Sequence, residues 1–359
     1  MRHDPSPYPE RVSRLRAGIS EKDALLILHE KNIRYLTGFT GSDGTLMAGR
    51  DWLALLVDGR YTTQARGEAA GAEVFEFRSR VEGIAALAGD RAAGAIGFES
   101  PSLTVEDYLA LREKLPGMAF YPLEGGLRSL RAVKNETEIA LIRKAARIAG
   151  EALAAVQAMI RPGALEKEIA LELEYRMRRC GAEQAAFETI VAAGVNAALP
   201  HARPGCRAIA PGDCVIVDYG AVWGGYRSDE TCTFIVGSAS GRQKEVYSLV
   251  REAQERAIRA IRAGVTCGEI DRVARGFLED AGLGAHFSHG TGHGVGLDVH
   301  EAPRLAAGRE ETLLAGMVVT VEPGIYLPGD WGIRIEDTVL VKEEGCELLT
   351  QTSKTMTIL

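Results

Sequence analysis

The sequence lacks several features that mark particular classes of protein. Its six cysteines, spread over 359 residues, never form a C-x-x-C pair, which argues against a zinc knuckle, a redox dithiol or a disulfide framework. No apolar run approaches the roughly 20 residues that a membrane-spanning helix needs. The N-terminal stretch MRHDPSPYPERVSR has no apolar segment behind its charges, which is not typical of a secretion signal. We therefore expect a cytoplasmic protein with reduced cysteines and no membrane association.

Positive charge is also in short supply. Lysine and arginine number 42 against 49 aspartates and glutamates, so the net charge is -7. A protein that binds nucleic acid by neutralising phosphates needs a basic surface, so we expect no nucleic-acid partner. What is present is the composition of an ordinary globular protein, 46% hydrophobic and 25% charged, with enough length for two domains.

The sequence pattern divides the chain after residue 126. In residues 1–126, short apolar runs such as ALLIL (24–28) and WLALLVD (52–58) alternate with helical stretches, which predicts a small α/β domain with a mixed or parallel sheet. The second domain, 127–359, opens with a long predicted helix. Asn135 is its N-cap and Glu138 completes a capping box.

The second domain contains an internal repeat. Residues 158–182 align with 259–283, and each segment predicts a helix, a tight turn and a second helix. The apolar strands that follow also align, 210–221 with 314–325 and 228–234 with 335–341. These alignments place acidic residues at matching positions: Asp218 with Glu322, and Asp229 with Glu336.

Carboxylates at the ends of buried strands need a partner. Asp218 ends the run CVIVD and Glu322 ends VVTVE, and a buried carboxylate must be protonated, paired or bound to a cation. One such acid could simply face water, but matching acids in both repeats favour a shared cation site. About four negative charges in one cleft would repel one another, and two divalent cations would balance them.

Three of the seven histidines, His289, His293 and His300, lie in the glycine-rich segment FSHGTGHGVGLDVHEAP (287–303). A single histidine is usually structural, but three so close together indicate a site. An imidazole added to carboxylates suits manganese, cobalt, iron or zinc. Such an oxygen-rich set is unlike a closed structural zinc site.

Several motifs carry a resemblance to a known family: DYGAVWGGYRSDETCTFIVG (218–237), HGTGHGVGLDVHE (289–301), VTVEPGIY (319–326) and GIRIEDTVLV (332–341). They resemble the metal-binding motifs of the pita-bread metallopeptidases, in the branch of aminopeptidase P and prolidase. NIRYLTGFTGSDG and VDGRYTTQA resemble the creatinase-type N-terminal domain of that branch. The resemblance implies an α+β fold: a pita-bread catalytic domain built from a duplicated α+β half, preceded by a smaller α/β creatinase-like domain, in a homodimer.

The resemblance also implies roles for individual residues. It implies that two divalent ions, manganese by preference with cobalt, zinc or iron as alternatives, bind to Asp218, Asp229, His293, Glu322 and Glu336, with Asp229 and Glu336 able to bridge. It implies that His201, His289 and His300 surround the substrate. Glu322 is our candidate for proton transfer. Arg334 would orient carboxylates or grip a substrate carboxylate, two alternatives that the sequence leaves open.

The predicted function is that of an Xaa-Pro aminopeptidase, which removes an N-terminal residue from a peptide with proline at the second position. The nearest alternative is prolidase, which cuts Xaa-Pro dipeptides only. Methionine aminopeptidase is disfavoured by the creatinase-like domain, and creatinase itself by the full set of ligands. A non-catalytic binding module of this fold is disfavoured for the same reason, because such relatives typically lose ligands.

Overall fold

The computed structural model describes residues 7–123, 125 and 127–359. These fall into two compact units, Met1–Arg131 and Ala132–Leu359. Residues 1–6 of the polar N-terminal stretch, and residue 126 at the boundary placed by the sequence pattern, lie outside the described residues.

The helices are α1 (Tyr8–Arg16), α2 (Glu30–Thr37), α3 (Thr62–Glu68), α4 (Arg80–Asp90), α5 (Val105–Lys114), α6 (Arg128–Ala132), α7 (Glu136–Val156), α8 (Glu166–Arg179), α9 (Gly241–Ala260) and α10 (Cys267–Asp280). The strands of the first unit are β1 (Asp23–Ile27), β2 (Thr45–Ala48), β3 (Leu53–Val57), β4 (Glu73–Glu76), β5 (Ala95–Phe98) and β6 (Ala119–Pro122). Those of the second unit are β7 (Gln184–Ala185), β8 (Ile190–Ala193), β9 (Cys214–Tyr219), β10 (Ala221–Trp223), β11 (Tyr226–Arg227), β12 (Glu230–Ile235), β13 (Gly292–Gly294), β14 (Glu301–Leu305), β15 (Val318–Val321), β16 (Gly324–Tyr326), β17 (Gly332–Arg334), β18 (Asp337–Val341), β19 (Cys346–Leu348) and β20 (Thr357–Ile358).

The first unit contains a mixed six-stranded sheet in the order β4-β3-β2-β1-β5-β6. β2 is antiparallel to both of its neighbours, and the other pairs are parallel. β1 and β3 are buried almost throughout, which explains why their sequences are continuous apolar runs. Helix α5 begins after Thr104, whose hydroxyl accepts a hydrogen bond from the Asp107 backbone. The predicted α/β organisation of this region is confirmed.

The second unit is built from two similar halves. The first half pairs α7 and α8 with the sheet β20-β12-β9-β8, and the second pairs α9 and α10 with the sheet β14-β13-β15-β18-β19. The predicted capping box of α7, formed by Asn135 and Glu138, is present. The turns inside the two helix pairs match in detail, since Gly163 and Gly264 both have a φ of +87°. The repeat found in the sequence is therefore a structural repeat.

Each half has its own hydrophobic core between its helices and its sheet. In the first half, residues of α7 and α8 pack on β9 and β12, including Leu153, Leu173, Val217 and Phe234. In the second half, α9 and α10 pack on β15 and β18, including Val250, Leu278, Val319 and Val339. The ends of these central strands are thereby held at fixed positions. Within the described residues, every helix is too short or too polar to cross a lipid bilayer.

Candidate metal centre

The four acids that occupy matching positions of the repeat all lie at strand ends. Asp218 is the next-to-last residue of β9, and Glu322 directly follows β15. Asp229 directly precedes β12, and Glu336 directly precedes β18. Because β9 pairs with β12 and β15 with β18 in antiparallel fashion, each half presents its two acids at one end of its sheet.

Three of the predicted ligands form a compact group. Asp229, His293 and Glu336 each offer a ligand atom, and these atoms all lie within 4.8 Å of one another. The two acids are almost completely buried, with 5% of Asp229 and 2% of Glu336 exposed. Two carboxylates and one imidazole at this spacing form a donor set that suits a divalent transition metal.

His293 is oriented by its neighbours so that one ring nitrogen faces the acids. Its Nδ1 lies 3.0 Å from the carbonyl oxygen of Gly294, and since a carbonyl only accepts, Nδ1 carries the proton. Its Nε2 lies 3.3 Å from Oε1 of Glu322 and 3.6 Å from Oδ2 of Asp229. Thr320 links the same groups, accepting from the His293 backbone and donating to Glu322.

Two glycines let the strand that carries His293 approach its neighbours closely. A Cβ atom at Gly292 would collide with the backbone carbonyl of Thr320, and one at Gly294 with that of Ala302. Any side chain at these positions would push β13 away from the adjacent strands. The close approach explains the glycines on both sides of His293.

Asp218 forms an ion pair with Arg334 through one carboxylate oxygen, and its other oxygen has no hydrogen-bond partner among the described residues. Arg334 Nη2 donates to Oδ2 of Asp218 over 2.6 Å. The other oxygen, Oδ1, is buried and has no hydrogen-bond partner among the described residues. A buried carboxylate oxygen without a donor is costly, and a cation would satisfy it. This orphaned oxygen fits a metal ligand.

The pKa values of the clustered acids also favour a metal site. Burial raises the pKa of Asp229 and of Glu336 well above their ordinary values, and the neighbouring carboxylates raise both further. Burial would also raise the pKa of Glu322, but its contact with His293, together with the charges of His289 and Arg334, outweighs burial and brings the pKa to about 2. The protein's own cations therefore do not neutralise the whole cluster, and divalent ions fit the remaining negative charge.

The other predicted histidines lie around this cluster. His289 has its Nε2 2.8 Å from the Tyr326 hydroxyl and its Nδ1 3.9 Å from Oε2 of Glu322, and burial lowers its pKa. The exposed His300 packs its ring against His293, with the ring centroids 4.3 Å apart. His201 is exposed. Burial lowers the pKa of both His289 and His300, and His201 makes a smaller electrostatic contribution in the same direction, so it lies in the same region.

Arg334 is buried, with 3% of its surface exposed, and is committed to contacts within the chain. Besides Asp218, its guanidinium donates to the Tyr326 hydroxyl over 2.9 Å, to the Pro200 carbonyl over 3.1 Å and to Thr231 Oγ1 over 3.2 Å. These contacts occupy most of its five N–H groups. They favour the orienting role of Arg334 over a grip on substrate.

Three residues that contact the cluster were not predicted from the sequence. Thr231 donates to Oε2 of Glu336 over 2.6 Å, Thr320 links His293 with Glu322, and Tyr326 joins His289 with Arg334. One signal was available for each threonine, namely its position two residues from a candidate acid, so that its side chain lies on the same face of the strand. For Tyr326, the sequence signal was its position inside the motif VTVEPGIY.

Comparisons with known proteins identify the family. The profile of metallopeptidase family M24 matches residues 140–343, and that of the creatinase/prolidase N-terminal domain matches residues 11–133. The chain belongs to metallopeptidase family M24. Its fold is a creatinase-like N-terminal domain followed by an M24 pita-bread domain, and it is a peptidase of a family that depends on divalent metal ions.

Individual relatives match over almost the whole chain. The chain is 38% identical to the Xaa-Pro dipeptidase of Pyrococcus horikoshii, over 92% of this chain and 93% of that protein. It is similar to the structure of the Xaa-Pro dipeptidase from Bacillus anthracis, with 39% identity, a TM-score of 0.95 and coverage of 98% and 100%. It is also similar to the X-Pro aminopeptidase structure from Thermotoga maritima, with 38% identity, a TM-score of 0.90 and coverage of 98% and 99%.

Proposed function

We propose that this M24 peptidase is a prolidase, an Xaa-Pro dipeptidase that hydrolyses the bond between an N-terminal residue and a C-terminal proline. The proposed hydrolytic activity rests on one observation, the buried cluster of carboxylates around His293, in which Oδ1 of Asp218 has no hydrogen-bond partner among the described residues. The dipeptide part is supported by relatives that bear the name Xaa-Pro dipeptidase. It replaces the longer-peptide specificity that we favoured from the motifs alone.

We assign the five candidate ligands to two divalent ions. Asp218 and Asp229 would hold one ion and His293 and Glu322 the other, and Asp229 and Glu336 would each be shared by both ions. Ions held there would supply Lewis acidity at the scissile carbonyl and lower the pKa of a water molecule towards neutrality. Manganese stays our preferred metal because the donor set is mostly oxygen.

The remaining chemistry is assigned to side chains of the chain itself. In hydrolysis, water adds to the carbonyl carbon, the C–N bond breaks, and the prolyl nitrogen must gain a proton. Glu322, whose carboxylate oxygens lie 3.9 Å from His289 and 3.3 Å from His293, is our candidate for carrying that proton from the water to the nitrogen. His201 and His300 are our candidates for donating to the carbonyl oxygen as negative charge develops on it.

Arg334 and Tyr326 keep this arrangement in place. The hydroxyl of Tyr326 contacts both His289 and Arg334, and Arg334 in turn fixes Asp218. Burial raises the pKa of Tyr326 to about 12, so it remains a neutral phenol at working pH. We therefore treat the pair as a positioning device for the acids and His289.

A matched pair of peptides tests the proposal. We would compare kcat/KM for Ala-Pro and Ala-Pro-Ala-Ala with manganese supplied, using Ala-Ala as the control for the proline requirement. A prolidase cuts Ala-Pro and leaves the tetrapeptide. The opposite preference would make the chain an Xaa-Pro aminopeptidase, the name of the Thermotoga maritima relative. No cleavage of any peptide would favour a binding role for the metal site.

A further inference from the structure

Beneath the candidate metal centre lies a second group of polar side chains, which we call the inner layer: Tyr219, Glu230, Asp337 and Lys354. Three of its members directly follow a candidate ligand in the sequence, as Tyr219 follows Asp218, Glu230 follows Asp229 and Asp337 follows Glu336. Successive residues of a strand point to opposite faces. The inner layer therefore lies on the reverse side of the strand ends that present the ligands.

The two acids of the inner layer are repeat mates. DET at 229–231 corresponds to EDT at 336–338, so each half of the unit has two consecutive acids followed by a threonine. Glu230 is the first residue of β12 and Asp337 is the first residue of β18. A displacement of either residue would move the candidate ligand that precedes it.

One lysine connects these two acids. Lys354 Nζ lies 2.5 Å from Oε1 of Glu230 and 3.5 Å from Oδ1 of Asp337. All three side chains are at least nine-tenths buried, with exposures of 9% for Lys354, 0% for Glu230 and 8% for Asp337. Lys354 belongs to neither repeat, because it lies in the final segment that returns to pair β20 with β12.

The other contacts of the two acids come from neutral donors. Glu230 accepts from the Tyr219 hydroxyl over 2.8 Å, and Asp337 accepts from Gln254 over 2.7 Å and from Thr350 over 2.6 Å. Within the described part of the chain, the ion pairs of Glu230 and Asp337 are those with Lys354. Removal of Lys354 would therefore leave two buried carboxylates without a counter-ion.

We propose that Lys354 is a positioning residue for the metal centre, which fixes the starts of β12 and β18 relative to each other and so sets the separation of Asp229 and Glu336. The proposal rests on the metal-dependent function assigned above. Without the lysine, the ionic link between the two strand starts is lost and the two buried carboxylates also repel each other, so the strand ends that carry them separate. The ligands that precede these acids would then be misplaced, even though Lys354 contacts neither.

Metal binding to the full-length protein, freed of metal by chelation, tests this by calorimetry with manganese. We expect Lys354→Met to weaken manganese binding by about 10- to 100-fold, the usual cost of losing a group that supports metal ligands. Lys354→Arg keeps the positive charge and should recover most of the affinity. Leu173→Ala, a cavity variant in the buried face of α8, is the control for a general loss of stability.

Two results would overturn the proposal: wild-type manganese affinity in folded Lys354→Met, or an equal loss of affinity in Leu173→Ala at a matched melting temperature. If Lys354→Met does not fold, Glu230→Gln and Asp337→Asn are combined with it to remove the repulsion. The combined variant has no repulsion but also lacks the lysine that links the starts of β12 and β18, so it should still lose about tenfold in manganese affinity. Full affinity would contradict the proposal. Calorimetry needs no peptide, so a wild-type enzyme that fails to cut Ala-Pro would refute the proposed substrate without affecting this result.

Discussion

The two halves of the catalytic unit have the same framework, yet they surround their acids differently. In the first half, Asp218 is paired with Arg334, and in the second half, Glu322 is paired with His293. Both partners, Arg334 and His293, come from the second half. The repeat thus accounts for the acids, whereas the side chains paired with Asp218 and Glu322 show a specialisation of one half.

The strands next to the acids show where that specialisation lies. β8 in the first half has the apolar sequence IVAA and pairs with β9 beside Asp218. β13 in the second half has the sequence GHG and pairs with β15. The first-half strand contributes to a hydrophobic core, and the second-half strand brings an imidazole to the acids.

Matching residues in the two halves can also have different partners. Arg227 and Arg334 each lie two residues before a candidate acid. Arg334 contacts Asp218 and Tyr326, whereas Arg227 donates to the backbone carbonyls of Ala186 and Leu297. Matching positions in the two halves therefore share a residue type, here arginine, but differ in the contacts that this residue makes.

The pairing register differs between the halves as well. Thr231 lies opposite Asp218, but its repeat mate Thr338 lies opposite Thr320, two residues before Glu322. A shift of two residues keeps every side chain on its original face of the sheet. The acids can therefore converge on one site although the two sheets are not in the same register.

The largest effect is expected from loss of the acid that we assign as the bridge. Glu336→Ala would remove the ligand that we assign to both ions, and we expect turnover to fall by about a thousandfold or more, the scale on which preorganised electrostatic groups act. Circular dichroism and the melting temperature of the metal-free protein serve as the check on folding. Appreciable Ala-Pro cleavage at saturating manganese would contradict the two-ion assignment.

The matched arginines give the next comparison. Arg334→Met should lower kcat/KM by about 100-fold, because a buried Asp218 without its partner is strongly unfavourable and Tyr326 loses its donor. Arg227→Met should reduce the free energy of unfolding by about 1.5–3 kcal/mol, through lost charge-assisted hydrogen bonds, and leave kcat/KM nearly unchanged. Peptide kinetics and denaturant unfolding of both variants would measure this. Equal losses of kcat/KM would show that the two arginines have the same role.

Much of the framework could be predicted from the sequence because it rests on local patterns. The capping box of Asn135 and Glu138, the apolar strands and the repeated helix pairs each depend on neighbouring residues, and the structure contains all of them. The correspondence of Asp218 with Glu322 followed from aligning the repeats. The family assigned from the motifs is confirmed by the M24 and creatinase/prolidase N-terminal matches.

What the sequence did not predict depends on contacts between distant segments. Arg334 and Asp218 are separated by 116 positions, and Lys354 and Glu230 by 124. No periodicity or motif encodes such pairs, since they arise only when the two halves and the final segment come together. Peptide length is another case, because the ligand motifs describe the reacting centre and not the surface beyond proline.

His201 offers a smaller effect that separates substrate chemistry from metal binding. Its side chain is exposed and lies outside the compact group of Asp229, His293 and Glu336. We expect His201→Ala to lower kcat by about 100-fold, as for removal of a donor to a developing oxyanion, with the metal content unchanged. Metal analysis and steady-state kinetics on the same preparation test this. A parallel fall in metal content would assign His201 to the metal site.

The smallest expected difference is between the matched threonines. Thr231 donates to the carboxylate of Glu336, whereas Thr338 donates over 2.7 Å to the backbone carbonyl of Asp229. Thr231→Val keeps the shape of the side chain but removes a donor that orients a ligand, so manganese affinity should fall about tenfold. Thr338→Val should instead cost about 1 kcal/mol of unfolding free energy, the net value of one hydrogen bond, with little change in affinity.

Calorimetric titration of both metal-free threonine variants with manganese, beside their denaturant unfolding curves, would measure these two quantities. A larger loss of affinity in Thr338→Val would mean that the backbone of Asp229, and not the carboxylate of Glu336, limits metal binding. Metal affinity would then depend more on Asp229, in the first half, than on Glu336, in the second. The second half would then supply Arg334 and His293, the partners of Asp218 and Glu322, while the first half would determine how tightly the metal binds.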